Sequence, residues 1–145
     1  MDRWQNNFLE KLNQAQSKWV TSFEETLNRA VTPAFKRVST FVSDNGFRVT
    51  SPLKEDGRRS FKFELAENAY LLLIFRFGGI GELEVRTESF VPGREPSLNR
   101  SPVRLVDVDE EWATRQFQQS LDIFVDLLAG AKAADAANAE ELLAV

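Results

Sequence analysis

The segment Ala69–Phe77 constrains the fold of this chain more than any other stretch of the sequence. It reads Ala-Tyr-Leu-Leu-Leu-Ile-Phe-Arg-Phe, with aliphatic and aromatic residues at both odd and even positions. Successive side chains of a strand point to opposite faces of its sheet, so this pattern predicts a strand that is apolar on both faces. Both faces of such a strand need cover, from the same chain or from another molecule.

The composition excludes several classes of functional site. The chain of 145 residues has no cysteine and no histidine, so it lacks disulfides, thiolate nucleophiles, the usual zinc ligands and the commonest catalytic base. A formal net charge of −4 argues against general binding to nucleic acid, which depends on concentrated lysine and arginine. We therefore expect a protein that is not an enzyme and uses no metal ion and no cofactor.

The sequence shows no sign of export or membrane insertion. Residues 1–7 contain no basic stretch followed by an apolar core. Arg76 interrupts the longest apolar run well before the roughly 20 residues that a membrane helix needs. These features predict a cytoplasmic protein that does not bind a membrane.

A long amphipathic helix is predicted at the start of the chain. From Trp4 to Phe41 the apolar residues recur every three or four positions, which is the spacing of one buried helical stripe. Pro33 interrupts this pattern, and we expect a kink or a break there with Thr32 as a new N-cap. Gly46 marks the end of the helix, since glycine readily takes the left-handed conformation of a C-terminal cap.

Four antiparallel strands are predicted after the helix, and three loops set their register. A three-residue loop at Glu55–Gly57 pairs Val49 with Phe63 and matches the apolar faces of the first two strands. A two-residue loop at Glu67-Asn68 and a four-residue turn at Gly78–Gly81 then place the third strand. These loops divide the apolar side chains of the sheet between its two faces.

One face joins the core, and the other carries an apolar stripe bordered by charged residues. The core-facing set includes Phe61, Phe63, Leu72 and Ile74. The stripe consists of Leu71, Leu73, Phe75 and Phe77. A contiguous apolar patch of this kind commonly marks an interface, and three different structures could cover it. They are the N-terminal helix in a three-layer domain, a second copy of the chain, or another protein or apolar ligand held in a groove.

The C-terminal part is predicted as a surface loop, a short strand and a helix. Three prolines within Pro92–Pro102 predict the loop, and Val103–Val106 forms a possible fifth strand at the edge of the sheet. Asp107 or Asp109 caps the helix that follows, because carboxylates stabilise a helix start more often than they bind a metal there.

The predicted architecture is α+β, with a long kinked helix, an antiparallel meander and a C-terminal helix. Residues 1–130 form a single domain. Residues 131–145 form an alanine-rich tail that either extends the last helix or frays.

These features predict a protein-interaction or chaperone-like module that binds itself, as a homodimer, or another protein. In size, acidity and mixed architecture the chain is similar to the small dimeric chaperones of bacterial secretion systems. Its partner-binding residues are predicted to be Leu71, Leu73, Phe75 and Phe77, with Trp4 and Trp19 as secondary contacts.

Two alternative functions remain open. One is a carrier of a small apolar ligand that lies between the sheet and the helices. Its predicted contacts are Phe61, Phe63, Leu72 and Ile74. The other is a hydrolase that uses two carboxylates, for which no particular pair stands out.

Overall fold

The computed structural model describes residues 2–65 and 68–144, with side chains up to residue 138. The fold is α+β, as predicted. In chain order the elements are α1 (Arg3–Thr26), a π-helical segment (Leu27–Val31), α2 (Thr32–Ser43), β1 (Arg48–Val49), β2 (Leu53–Glu55), β3 (Arg58–Leu65), β4 (Ala69–Phe77), β5 (Glu82–Phe90), β6 (Ser97–Arg104), a 3₁₀ turn (Leu105–Asp107) and α3 (Glu110–Ala144). None of the helices in these ranges has a stretch long and apolar enough to cross a membrane.

α1, the π segment and α2 form one unbroken helical stretch from Arg3 to Ser43. Thr32 has helical backbone angles, so the predicted N-cap at this residue is wrong. Its N–H donates instead to the carbonyl of Leu27, five residues earlier, and Pro33 follows in the first turn of α2. The wider π turn lies where the ring of Pro33 and its missing N–H would otherwise disturb an α-helix.

The π segment also keeps the apolar side chains on one side of the helix. Trp19, Phe23, Leu27, Val31 and Phe35 are spaced by four residues throughout. Each such step drifts by about 40° around an α-helix of 3.6 residues per turn, and a π turn removes part of that drift because it holds more residues. The last four of these side chains are therefore all buried in the core.

Two short strands pair with β3 in registers that differ by one residue. The turn between β2 and β3 contains Asp56 and Gly57 rather than the predicted three residues. Val49 nevertheless pairs with Phe63, as predicted. Both pairings are possible because β1 and β2 are separated by residues 50–52, where the register with β3 changes by one residue.

The register of β4 differs by one residue from the predicted register on both of its sides. Leu65 pairs with Ala69, and Phe77 pairs with Leu83, so each flanking loop is one residue longer than predicted. Asn68 has a left-handed φ of 64°, which suits a loop position. The other residue of the predicted turn, Glu67, lies outside the described residues. A shift of one residue turns every side chain of a strand to the opposite face.

β4 is therefore inverted relative to the prediction, whereas β3 and β5 keep their predicted faces. Leu71, Leu73 and Phe75 lie on the same face as Phe61 and Phe63. The sequence does not reveal this inversion, because β4 is apolar at odd and even positions alike and its own alternation favours neither register.

Both helices cover the same face of the sheet, which we call the helix face. The strand order is β1-β3-β4-β5-β6, with β2 also beside β3. The ring of Phe35 in α2 lies 4.8 Å from that of Phe61, and the ring of Phe117 in α3 lies 5.9 Å from that of Phe75. The described residues thus form two layers rather than three, and the other side of the sheet, which we call the open face, carries no helix.

The segment predicted as a loop contains a full strand. β6 pairs with β5 from Ser97 to Arg104, so the loop predicted for Pro92–Pro102 is wrong beyond residue 96. Pro102 is tolerated because β6 lies at the edge of the sheet, where a strand needs hydrogen bonds on one side only. β6 ends at Arg104, so the short strand predicted at Val103–Val106 is also misplaced.

The start of α3 matches one of the two predicted caps. The carboxylate of Asp109 accepts a hydrogen bond from the N–H of Trp112 at 2.7 Å. Asp107 instead pairs with Arg104 at 2.9 Å. α3 continues to Ala144, so the alanine-rich segment extends the helix.

Candidate protein-interaction surface

The predicted partner-binding stripe of β4 lies in the core. Leu71, Leu73 and Phe75 are fully buried on the helix face. Phe77 is half-buried, with its ring 6.0 Å from that of Phe23 in α1. The prediction that these four residues lie on the face of the sheet opposite Phe61 and Phe63 is therefore wrong, because the one-residue shift in register turns them toward the helices of the same chain.

The residues predicted to hold an apolar ligand do not line one site. Phe61 and Phe63 face the helices, whereas Leu72 and Ile74 are on the open face. The ring of Phe117 lies 5.3 Å from Phe61 and 5.9 Å from Phe63. Core side chains thus fill the space in which the ligand was predicted.

The N-terminal half of the first helix projects from the domain. None of residues 3–22 is fully buried; Trp19 packs partly against the edge of the core, and Phe23 is the first fully buried side chain of the helix. We call residues 3–22 the arm; at 1.5 Å per residue it is about 30 Å long. The two secondary contacts predicted from the sequence, Trp4 and Trp19, both lie on it.

One side of the arm is apolar along its whole length. This apolar stripe consists of Trp4, Phe8, Leu12, Ala15 and Trp19. Trp4 is 65% exposed and Phe8 is 47% exposed, and their rings stack with 5.2 Å between centroids. The spacing of three and four residues is that of a helix face that packs against another element. In the arm, however, Trp4 and Phe8 lie in solvent, and only Trp19 packs against the edge of the core.

Local signals, rather than packing, start the helix of the arm. The N–H of Trp4 donates to the carboxylate of Asp2 at 3.4 Å, and the N–H of Asp2 donates to the side-chain carbonyl of Gln5 at 3.3 Å. This capping box satisfies backbone groups that a helix start otherwise leaves unpaired. The arm is therefore capped at one end and continuous with the packed helix at the other.

Arg59 fixes the root of the arm to the sheet. Its side chain is 4% exposed and donates to Glu24 Oε2 at 2.9 Å, to Asn28 Oδ1 at 2.8 Å and to Thr32 Oγ1 at 3.2 Å. The three acceptors follow one another along the helix at intervals of four residues, across the π segment. Charge-assisted hydrogen bonds of this kind are strong and directional, so the arm leaves the domain at a defined angle.

The role of Arg59 was not predicted, although its position in β3 indicates that it is buried. Arg59 lies two residues before Phe61 and four before Phe63, so its side chain points to the same face of the strand as theirs, toward the core. A buried arginine needs a partner, and Glu24 lies on the helix that covers this face.

The open face presents charged groups over a small apolar centre. Ile74 is only 3% exposed, although no helix in the described part of the chain covers it. The ammonium of Lys62 lies 4.5 Å from the ring centre of Tyr70, and Arg86 pairs with Glu88 at 2.8 Å. The stems of such long side chains shield apolar neighbours, as is usual on the solvated face of an antiparallel sheet.

A small cleft lies between α3 and the strands β5 and β6. Its volume is about 190 Å³, and its lining has no charged residue. Polar side chains in the lining include Thr87, Ser89, Ser97, Asn99, Gln116 and Gln119. Without an ionisable side chain the cleft offers no general acid or base. Among the side chains of residues 2–65 and 68–138, no group of three or more acidic residues is placed to hold a metal ion.

No protein-family model, curated protein or solved structure matches this chain. Function is therefore inferred from the geometry of its surfaces. Of the arm, the open face and the cleft, only the arm presents a continuous row of large apolar side chains to solvent.

Proposed function

We propose that this protein is a non-enzymatic protein-interaction module that forms a homodimer through its arm. The observation that carries the proposal is the apolar stripe of the arm, which is exposed at Trp4 and Phe8 and only half-buried from Leu12 to Trp19. Residues 23–43 of the same helix bury the corresponding stripe in the core, so the arm has the pattern of a packed helix without its packing. The cytoplasm is the location we propose for it.

The free energy of burying the stripe is large enough to drive association. Burial of one large apolar side chain is worth about 1.5–3 kcal/mol. Two arms together contribute four exposed aromatic side chains, Trp4 and Phe8 of each copy, and at roughly 150–250 Å² each these give on the order of 800 Å². Specific interfaces begin at about 1,200 Å², so two arms with their aliphatic residues supply a suitable area.

The anchoring of the arm also supports an interface. Arg59 and the continuous helix hold the arm before any partner binds, so association does not have to pay for ordering it. A second copy of the chain brings an identical arm, which allows a closed twofold arrangement with the same contacts made twice.

The test compares two variants with the same change in charge on opposite sides of the arm. Phe8→Glu places a carboxylate in the middle of the apolar stripe, whereas Ser17→Glu places one about 180° away at 100° per residue. Loss of a central interface aromatic costs about 2 kcal/mol, or roughly thirtyfold in Kd. We expect light scattering to give the mass of a dimer for the unmodified chain and for Ser17→Glu, and the 16.5 kDa of a monomer for Phe8→Glu.

Circular dichroism provides the control, because neither position contributes to the core and both variants should keep their helical signal. A monomeric mass for the unmodified chain at its highest soluble concentration would overturn the proposal. A Phe8→Glu variant that remains a dimer would also overturn it.

A further inference from the structure

A surface groove with an apolar floor lies between α2 and α3 on the body of the domain. Its volume is about 530 Å³. Phe41 forms one wall and is 70% exposed, which is unusual for a large aromatic side chain beside a core. Val38, Val42 and Leu121 reach the groove from the core and supply an apolar floor.

We propose that the arm of one copy lies in the α2–α3 groove of a second copy, and that the second arm lies in the first groove by twofold symmetry. The inference rests on the proposed function, since it requires the homodimer, and it names the surface that receives the arm. Trp4, Phe8 and Leu12, at intervals of four residues, are the side chains that insert beside Phe41. An amphipathic helix that binds in a groove uses anchors with this spacing.

The arm cannot reach the groove of its own molecule. It continues into α2 as one unbroken helical stretch, so it cannot fold back over α2. α2 and α3 run in the same direction, because Phe35 lies near Phe117 and Phe47, after α2, lies near Phe124. The arm therefore projects beyond the beginning of α3, and only another molecule can place an arm over Phe41.

The charges beside the two surfaces are complementary. Lys11 and Lys18 lie on one flank of the apolar stripe and form no ion pair with any described residue. At the groove, Arg37 is already paired with Glu110, while Asp122 forms no ion pair in the described part of the chain. The free charge of the groove is thus negative and that of the arm is positive, which favours their association over the pairing of like surfaces.

Direct antiparallel pairing of two arms is less favourable for the same reason. A twofold axis across two antiparallel helices brings the same flank of each helix together. Lys11 and Lys18 of both arms would then lie along one seam, and like charges at that separation repel. Docking of the arm in the groove avoids this repulsion and also covers Phe41.

The absence of cysteine makes the contact directly testable. Two single-cysteine chains are prepared: Ala15→Cys on the apolar stripe and Gln118→Cys on the rim of the groove. They are mixed in equal amounts, allowed to exchange subunits and treated with a short bis-maleimide cross-linker. Mass spectrometry distinguishes the mixed dimer from each homodimer by its mass. Ser17→Cys, on the opposite side of the arm, replaces Ala15→Cys in the matched control.

We expect the Ala15 and Gln118 chains to cross-link to each other several-fold faster than either cross-links to itself, and several-fold faster than the Ser17 control. Light scattering on the same samples separates the two proposals. A dimer in which Ala15→Cys chains cross-link mainly to each other would support the proposed homodimer but would overturn the proposal that the arm lies in the groove. A dimer in which Ser17→Cys cross-links to Gln118→Cys as fast as Ala15→Cys does would overturn it too. A monomer would overturn both.

Discussion

The two halves of the N-terminal helix have the same apolar pattern but meet different surroundings. Residues 23–43 bury Phe23 and Phe35 against the sheet and α3, whereas the arm leaves Trp4 and Phe8 in solvent. The halves differ because the helix is longer than the sheet that it covers. An amphipathic pattern therefore shows that a helix needs a partner surface, but not whether that surface belongs to the same molecule.

The largest expected difference between the halves comes from removing one aromatic ring from each. Phe23→Ala leaves a cavity beside Phe77 in the core and should lower the free energy of unfolding by about 3–5 kcal/mol. Phe8→Ala should change it by less than about 0.5 kcal/mol, because the ring contacts only the arm in the monomer. Urea unfolding at concentrations below the Kd of the dimer measures both values. Similar losses in the two variants would mean that the arm packs on its own domain.

A smaller effect is expected at the junction between the halves. Arg59→Ala leaves Glu24, Asn28 and Thr32 without their shared donor, and should cost about 2–3 kcal/mol of unfolding free energy. Lys18→Ala is the matched loss of a positive charge within the arm and should cost less than about 0.5 kcal/mol.

A double variant shows whether the loss of stability in Arg59→Ala comes from the loss of the arginine charge. Replacing Arg59 and Glu24 together by methionine removes both charges and retains most of the side-chain volume. This double variant should be more stable than Arg59→Ala in the same urea experiment. If it is no more stable, the loss in Arg59→Ala reflects packing and not the unpaired acceptors.

The smallest expected effect concerns the charge on the flank of the arm. Lys18→Glu should weaken the dimer by about 0.5 kcal/mol, or roughly twofold in Kd, because exposed ion pairs contribute little. Sedimentation measurements at low and high salt should show this difference shrinking as salt screens the charges. Lys54→Glu on β2 has the same charge change away from the arm and should leave the Kd unchanged. Equal effects of the two substitutions would indicate net charge rather than a local contact.

Local sequence patterns predicted most of the helices and strands, but they did not predict how these elements are placed relative to one another. The first of the four predicted strands is divided into β1 and β2, but the long first helix, β3, β4, β5 and the cap at Asp109 follow from residue spacing and turn residues. β6 did not, because its prolines and serines are typical of a loop and it is held by pairing with β5. The face of β4 did not either, since a strand that is apolar on both sides satisfies the alternation rule in either register.

The candidate surface was predicted in part. Trp4 and Trp19 were identified from the helical spacing, but only the tertiary structure leaves Trp4 exposed and packs Trp19 against the edge of the core. Phe41 belongs to the same apolar series as Val38, and only the packing of α2 on α3 leaves it on the rim of a groove. Leu71, Leu73 and Phe75 were predicted at an interface, and they instead form the centre of the core.

The amino-acid sequence by itself determined which segments are helices and which of the strands before residue 91 have one apolar face, because those properties depend on neighbours close in the chain. Only the tertiary structure decided which apolar residues are covered. Cover depends on loop lengths, on the register between strands and on how far each helix extends past the sheet. One additional residue in each of the two loops that flank β4 inverted this strand, and that inversion placed Leu71, Leu73 and Phe75 in the core instead of on the open face.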